Sequence, residues 1–504
     1  MTNFPIDPPG GIAGASLRFD PRTVDISGVQ ADLAAAGITA SNDVGDRRQA
    51  GRDWWPLSAA WANAGMLPSQ PQLVVTPQTP EEVALVLQSA SQHRVPVVAV
   101  AGRSGVLGGT ISVAGGIAID LTGLNRIVGV DLYNNVVDVQ AGVFGDVLEA
   151  ALRTEHHRTL GHHPQSIALS TVGGWLACRS SGQMSNRYGG IEDMVLDVEV
   201  ALPDGTLRRT GVGGASPRGA LGPDLTSLFV GSEGSFGVIT SALLRVHPEP
   251  TVERKSAWQV PDMATGVELA RRLAQYSADP AVLRLYDLTE AQRSFGVDHP
   301  LVIAYDESPI DDLDAHDRFL RREAAALSAV ELAPALVDQW LHHRNDVSAL
   351  ATYAALGAVL DTVEISAPWS ALDHIYTTVC AQVAELDGTA AISAHLSHSY
   401  TSGACLYFTM GALPVGEPAD PMAWREAWYR DAWDIIMSTT SEAGGSLSHH
   451  HGVGMVRGSY LRDIQPHRLE LIGRLKATVD PNGVLNPGKL GIPTEFDAAD
   501  WSLS

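Results

Sequence analysis

The chain is 504 residues long, and the usual domain size of roughly 100 to 200 residues predicts two or three domains. Its 34 Lys and Arg residues against 57 Asp and Glu residues give a formal net charge of −23. So acidic a surface makes nucleic acid and an acidic membrane poor partners. Hydrophobic residues make up 45% of the chain and charged residues 18%, a balance that excludes general disorder.

The elements of the chain fall into four segments. Residues 1–70 are irregular and are expected to form an arm of short helices. Residues 71–250 begin with a predicted strand, helix and strand (QLVVTP, TPEEVALVLQSASQHR, VPVVAVAG) and continue with short strands and glycine turns. Residues 251–440 alternate longer helices with strands, which indicates a second α+β domain. Residues 441–504 contain three consecutive histidines, a helix and the stop DPNG.

The sequence was searched for a membrane helix, a secretory signal and a disulfide framework. No apolar stretch approaches the roughly 20 residues that a membrane helix requires. The opening MTNFPIDPPGG lacks the pattern of a secretory signal. The cysteines, Cys178, Cys380 and Cys405, are too few and too scattered for a disulfide framework. We therefore expect a cytoplasmic protein without a membrane partner, and a homodimer is one alternative for its assembly.

Three loops in the first half share a composition rich in Gly, Ser and Thr. They cover residues 99–109 (AVAGRSGVLGG), 164–182 and 231–240. One such loop is more often only a tight turn, but three in one region favour an extended ligand held by backbone N–H groups. A dinucleotide has that shape. The spacing GxGxxG of nicotinamide-binding folds is absent from the first loop.

Two segments of the second half carry groups that can move protons. The run GGSLSHHHGVG places His449, His450 and His451 between glycines, and imidazoles titrate near neutral pH. On an extended backbone only His449 and His451 could share a metal ion, with His395 and His398 as further candidates, and we predict no metal. The strand-like run TSGACLYFTM contains Tyr407, which by itself would be interpreted as a core aromatic residue.

The order of the motifs resembles the vanillyl-alcohol oxidase/p-cresol methylhydroxylase family of FAD proteins. It runs from AGRSG through GHHPQSIALSTVGGW, YGGIEDMVLDVEVALPDG and GPDLTSLFVGSEGSFGVIT to DPNGVLNPGKL, over about residues 70 to 490. The resemblance implies an α+β fold: a PCMH-type FAD-binding domain of two subdomains at 71–250, an α+β cap domain at 251–440, and a C-terminal segment at 441–504 that returns to the FAD domain.

The resemblance also assigns FAD to small and polar residues of the loops. Ser104 stands where some members of the family carry a histidine linked to FAD, so the cofactor is expected to be non-covalent. The implied FAD-binding residues are Ala99, Val100, Ala101, Gly102, Arg103, Ser104, Gly105, Pro164, Gln165, Ser166, Ser170, Thr171, Gly173, Gly174, Cys178, Arg179, Ser180, Ser181, Ser232, Glu233, Gly234, Ser235, Gly237 and Val238.

The strand GACLYF and the loop GGSLSHHHGVG resemble one subgroup of that family, the alkylglycerone-phosphate synthases. The resemblance implies that Tyr407 is the proton-transferring phenol and that His449, His450 and His451 line the flavin and the substrate. The subgroup's substrate-phosphate arginine would fall near Leu350 and Ala351, where this chain has no cation, and Arg344 lies earlier. Arg284 in VLRLYDL is interpreted as structural.

Three hypotheses follow. The leading one is an FAD-dependent oxidoreductase that transfers a hydride from an oxygenated small-molecule substrate to flavin N5, while Tyr407 and the histidines handle the proton. The second is a transferase like the alkylglycerone-phosphate synthases, which uses FAD without net redox change. The third is a non-catalytic flavin-binding protein.

Overall fold

The fold was analysed in a computed structural model that describes residues 6–19, 21, 23–276, 278, 280–346, 357–496, 498 and 501. Within these ranges the strands form sheets of four, five and seven strands and two short two-stranded pairs. Every helix in the described part of the chain is too short or too polar to cross a lipid bilayer. The predicted α+β fold is confirmed.

The first sheet contains strands from the arm and from the first half. Its order is β2-β4-β6-β5, with β6 parallel to both β4 and β5, so the predicted strand–helix–strand unit has a third strand between its two strands. The Thr79 hydroxyl accepts a hydrogen bond from the Glu82 N–H at the start of α4, as its capping sequence predicts. The elements are β1 (Ser16–Leu17), α1 (Ser27–Ala36), β2 (Ala40–Ser41), α2 (Val44–Ala50), α3 (Pro56–Asn63), β3 (Met66–Leu67), β4 (Leu73–Val75), α4 (Pro80–Gln92), β5 (Val97–Val100) and β6 (Ile117–Asp120).

The second sheet is antiparallel, in the order β11-β10-β12-β8-β7. Its buried face packs against α5 and α6 through Leu148, Trp175 and their neighbours. The elements are β7 (Ile127–Asp131), β8 (Val136–Gln140), α5 (Gly145–His156), β9 (Arg158–Thr159), α6 (Val172–Cys178), α7 (Ser185–Tyr188), α8 (Ile191–Met194), β10 (Val195–Ala201), β11 (Leu207–Arg209), α9 (Thr226–Phe229), β12 (Val238–Arg245) and β13 (His247–Pro248).

The third sheet is the platform of the second half, in the order β17-β14-β16-β15-β19-β20-β18. Helices α10, α14 and α15 contact its strands, and Trp433, Phe408 and Leu372 lie in the core between them. The elements are β14 (Val252–Gln259), α10 (Met263–Gln275), β15 (Val282–Tyr286), α11 (Leu288–Phe295), β16 (Leu301–Ser308), α12 (Asp314–Ala326), β17 (Val330–Leu332), α13 (Ala335–His343), β18 (Val359–Pro368), α14 (Trp369–Ala384), β19 (Thr389–Tyr400), β20 (Gly403–Ala412), α15 (Pro421–Glu442), α16 (Val456–Ile464) and α17 (Pro466–Val479).

The chain after α17 packs back onto the first half. Leu485 forms a parallel bridge with Val97 of β5. The Asn486 side-chain amide donates hydrogen bonds to the carbonyl oxygens of Gly109 (3.1 Å) and Glu233 (2.7 Å). The C-terminal segment therefore joins the first glycine-rich loop to the third.

Candidate active site

A cavity of about 780 Å³ lies between the loops of the first half and the third sheet. Its wall includes parts of the arm, the three glycine-rich loops, the strands β15, β19 and β20, and the histidine loop. Pockets of about 300 to 1,000 Å³ are typical of sites that enclose a cofactor or a small molecule. The fold thus brings the two sets of motifs found in the sequence to one place.

Most of the predicted FAD-binding residues line this cavity. Gly102 shows why the first loop needs a glycine: a Cβ there would lie 2.2 Å from the Leu169 carbonyl oxygen, so the first and second loops are in direct contact. The predicted residues that line the cavity are 99–105, 164–166, Ser170, Thr171, Gly173, Gly174, Cys178, Ser180, Ser181, Glu233, Gly234, Gly237 and Val238.

Arg179, Ser232 and Ser235 do not line the cavity. Arg179 forms an ion pair with Glu192 (3.4 Å), and the Ser235 carbonyl oxygen accepts a hydrogen bond from Lys476 (2.8 Å). Arg179 and Ser235 thus contact α8 and α17. Direct FAD binding by Arg179, Ser232 and Ser235 stays a prediction.

The histidine loop is anchored by Glu364 of β18, whose side chain has no exposed surface. This carboxylate accepts hydrogen bonds from the backbone N–H groups of His450 (3.0 Å) and His451 (2.5 Å) and forms an ion pair with Arg457. Burial acts to raise the pKa of Glu364, but the Arg457 charge and the neighbouring imidazoles outweigh it and hold that pKa well below its ordinary value. The loop therefore wraps around a fixed negative charge.

We call the part of the cavity lined by Tyr407, His395, His450 and His451 the reactive end. Tyr407 lies at its centre. It pairs with Glu364 on β18 and with His395 on β19, and residues directly opposite in a sheet share a face. The Tyr407 ring stacks on His395 at 4.8 Å and meets His451 edge-on at 5.6 Å. Burial raises the pKa of the Tyr407 phenol above its ordinary value, so at neutral pH the phenol keeps its proton.

The three consecutive histidines have different environments. His450 and His451 line the cavity, and His449 does not. Burial outweighs the nearby Glu364 carboxylate and lowers the pKa of His451 to about 4, so its imidazole is neutral. Its Nδ1 atom has no hydrogen-bond partner among the described residues and lies 3.9 Å from Glu364.

Two arginines form a cationic part of the cavity wall. Arg284 of β15 and Arg344 after α13 lie 5.4 and 5.5 Å from the Trp340 ring centroid. Arg284 Nε and Arg344 Nη1 are buried and lack hydrogen-bond partners within the described ranges. A desolvated guanidinium group of this kind favours an anionic ligand. Leu350 and Ala351 lie outside the described residues.

Sequence reasoning missed several residues of this wall. Arg284 was interpreted as structural, yet it lines the cavity and lies 3.4 Å from His395 Nε2. No residue of the arm was among the predicted site residues, yet Arg52, Asp53 and Trp55 also line the cavity. The one available signal was Arg284 itself, a charged residue inside an otherwise apolar strand.

The comparisons with known proteins agree with this geometry. Residues 71–211 match a family model described as an FAD binding domain, and residues 249–490 match one described as the C-terminal domain of FAD linked oxidases. An uncharacterized FAD-linked oxidoreductase of Escherichia coli O157:H7, YgcU, is 30% identical over 83% of this chain and 89% of that protein. This chain belongs to the FAD-linked oxidases. FAD is its cofactor.

Other relatives include both synthases and oxidases by name. An alkyldihydroxyacetonephosphate synthase of Dictyostelium discoideum is 29% identical over 85% of this chain and 74% of that protein. The glycolate oxidase subunit GlcD of Bacillus subtilis is 25% identical over 84% of this chain and 89% of its own. The family resemblance seen in the sequence is confirmed.

Solved structures show the same fold. An alkyldihydroxyacetonephosphate synthase superposes with a TM-score of 0.76 at 25% identity, covering 93% of this chain and 86% of that one. p-Cresol methylhydroxylase superposes with a TM-score of 0.72 at 17% identity, covering 93% and 96%. The predicted PCMH-type fold of this FAD-linked oxidase is therefore confirmed.

The cavity wall fits FAD. Thr110 Oγ1 and Gln183 Oε1 belong to cavity residues and are buried without a hydrogen-bond partner among the described residues. A Cβ built on Gly105, Gly174 or Gly234 would meet no atom closer than 3.5 Å, so the protein packs there at ordinary van der Waals distance and not more tightly. Small loops with free polar groups suit a diphosphate and its flanking groups.

Proposed function

We propose that this chain is an FAD-dependent oxidoreductase that oxidises a small hydroxylated anion. One observation carries the proposal: a phenol, a neutral imidazole and two desolvated guanidinium groups, from Tyr407, His451, Arg284 and Arg344, line the same cavity as the cofactor loops. The cavity would thus contain cationic groups for an anion, an acceptor for a hydroxyl proton and the loops for the cofactor. When bound, FAD supplies the hydride acceptor.

The side chains named above bind the substrate and accept its proton. Arg284 and Arg344 hold the anionic group of the substrate by charge-assisted hydrogen bonds. His451 accepts the hydroxyl proton, directly or through the Tyr407 phenol, and Glu364 at 3.9 Å stabilises the resulting imidazolium ion. Ser104 offers no imidazole for a covalent link, which supports non-covalent FAD. Acid precipitation would release such a cofactor into solution.

The test is anaerobic reduction of the bound flavin, followed as loss of its long-wavelength absorbance. Glycolate and D-lactate serve as probes, against neutral alcohols of equal chain length. We expect bleaching by a hydroxy acid and not by the alcohols, and a slower rate in Tyr407→Phe. Arg344→Met should raise the half-saturating concentration by roughly 10-fold to 150-fold, the equivalent of a charge-assisted hydrogen bond of about 1.5 to 3 kcal/mol.

Arg474→Gln is the matched control, because Arg474 is an exposed arginine of α17 that pairs only with exposed Glu470 among the described residues. It should behave like the wild type. Equal bleaching by the neutral alcohols would contradict the proposed substrate class. Undiminished bleaching in Tyr407→Phe would remove that phenol from the reaction.

A second candidate is a transferase like the alkyldihydroxyacetonephosphate synthases. It is favoured by the 29% identity over most of the chain and by the arginine pair, which would also suit a phosphate. It predicts an ether product from an acylated dihydroxyacetone phosphate and a fatty alcohol, with no oxidant consumed and no net bleaching. A non-catalytic flavin-binding protein would respond to neither assay.

A further inference from the structure

A cluster of three imidazoles lies at the edge of the cavity. We call His398, His449 and His450 the histidine cluster: one ring nitrogen from each lies within 4.8 Å of the others. Nδ1 of His449 and Nδ1 of His450 are 2.9 Å apart, and the His398 ring stacks on His449 at 4.8 Å. The prediction that neighbouring histidines point apart was wrong here, because the loop curls around Glu364 instead of running extended.

His398 enters the cluster from a distorted point of β19. The register of β19 against β20 shifts between Ser397 and Ser399, and His398 has a φ of 51°. A left-handed conformation costs a residue with a side chain on the order of 1 kcal/mol or more. Bulges commonly redirect one side chain of a strand. Here the bulge holds a buried histidine, 6% exposed, against the histidine loop.

Two of the rings are held from outside the cluster. His398 Nδ1 lies 2.6 Å from the Ser185 hydroxyl at the start of α7, which leaves its Nε2 for another partner. His449 Nε2 lies 2.6 Å from the Tyr400 hydroxyl, which leaves its Nδ1 facing His450. Histidines that bind metals are typically oriented in this way by a hydrogen bond to the other ring nitrogen.

We propose that the histidine cluster binds a divalent transition-metal ion, with zinc as the best match. Imidazole nitrogen is a preferred ligand of zinc, and three protein ligands leave a fourth position open. His398 and His450 both line the cavity, so the open position faces the ligand space. An ion there would attract a substrate oxygen and weaken its hold on the proton.

A carboxylate lies close to the site, and Arg457 is its ion-pair partner. The chain carries a net charge of −23, and the buried Glu364 carboxylate lies directly beneath the loop that carries two of the three ligands. The competing interpretation is a metal-free hydrogen bond between Nδ1 of His449 and Nδ1 of His450. That interpretation predicts no bound ion and leaves the strained conformation of His398 unexplained.

The experiment measures zinc on the FAD-loaded protein, purified without a histidine tag. The protein is freed of metals with a chelator, given Zn²⁺, passed through a gel-filtration column and analysed by inductively coupled plasma mass spectrometry. We expect one zinc ion per chain in the wild type and little retained zinc in His398→Asn and His450→Asn. Loss of even an outer partner of a ligating histidine lowers metal affinity by about 10-fold to 100-fold, and loss of a ligand itself should lower it at least as much. His374→Asn, at an exposed position of α14, should keep the wild-type content.

Flavin absorbance and melting temperature check that each variant is folded. X-ray absorption at the zinc edge of the wild type adds a second measurement that needs no variant, and should show nitrogen ligands at about 2.0 to 2.1 Å. A wild type without zinc, or zinc that persists in His398→Asn, would overturn the proposal. Neither result depends on the substrate, so the oxidoreductase proposal can stand or fall separately.

Discussion

At the scale of single residues, Glu364 decides how the reactive end is built. Glu364→Gln would leave the Arg457 guanidinium, 1% exposed, without a compensating charge. We expect a loss of unfolding free energy of about 3 to 5 kcal/mol, the usual result of removing one partner of a buried ion pair, measured by urea and thermal denaturation. Glu331→Gln is the control, because its ion pair with Arg321 is exposed and should contribute about 1 kcal/mol at most.

The pH dependence has a defined sign. The pKa of Glu364 is depressed in the folded state, so its contribution is fully present above the unfolded value of about 4.3 and is lost as the pH falls through the folded value. The stability difference between the wild type and Glu364→Gln should therefore be constant above about pH 5.5 and shrink below about pH 4. A difference that grew in acid would contradict the assigned role.

Nothing in the sequence marks Glu364 as special. Its partners His450, His451 and Arg457 lie more than 80 positions later in the chain, and no local pattern encodes such a contact. The positions of Tyr407, His450 and His451 at the cavity could be predicted because these residues lie in short motifs of recognisable order. The arginine pair could not, since Arg284 and Arg344 meet at Trp340 only after β15 and α13 have packed.

At the scale of elements, local sequence patterns predicted more of the structure than at the scale of single residues. The helix α4 begins at the residue that its capping sequence indicates, with Thr79 as N-cap. The strand β20 lies where the strand-like run TSGACLYFTM predicts it. The insertion of β6 between β4 and β5 was not predictable, because strand order depends on long-range pairing. The bulge at His398 was equally invisible, since no glycine or proline marks it.

The contact between the first two glycine-rich loops gives a prediction at this scale. An alanine Cβ at position 102 would lie 2.2 Å from the Leu169 carbonyl oxygen, so Gly102→Ala must push the loops apart. We expect the dissociation constant for FAD to rise tenfold or more, equivalent to about 1.4 kcal/mol, measured by calorimetric titration of the flavin-free protein. Gly129→Ala on β7 is the matched control, because its Cβ would meet no atom within 4 Å. Equal affinities would show that the loops are not held in register by this contact.

At the scale of the whole molecule, one cavity connects parts of the chain that are far apart in sequence. Asp53 of the arm, Gly102 of the first half, Tyr407 of the third sheet and His450 of the histidine loop all border it. The C-terminal segment adds a further link through Asn486 and the loop carbonyls. A ligand that fills the cavity therefore contacts each part at once, and its binding should stabilise them together.

This arrangement predicts that FAD controls the thermal stability of the entire chain. A ligand at 100 times its dissociation constant adds about 2.7 kcal/mol, which at an unfolding entropy of about 2.1 cal/mol/K per residue corresponds to roughly 2 to 3 °C in melting temperature when all 504 residues unfold together. We expect the flavin-free protein to melt lower by that amount and to recover on titration with FAD, followed by calorimetry. ADP, which lacks the flavin ring, should restore only part of the shift, because it cannot contact both the small-residue loops and the Tyr407 side of the cavity. A full recovery with ADP alone would mean that the ring side contributes no stability and that the two halves are not joined through the cofactor.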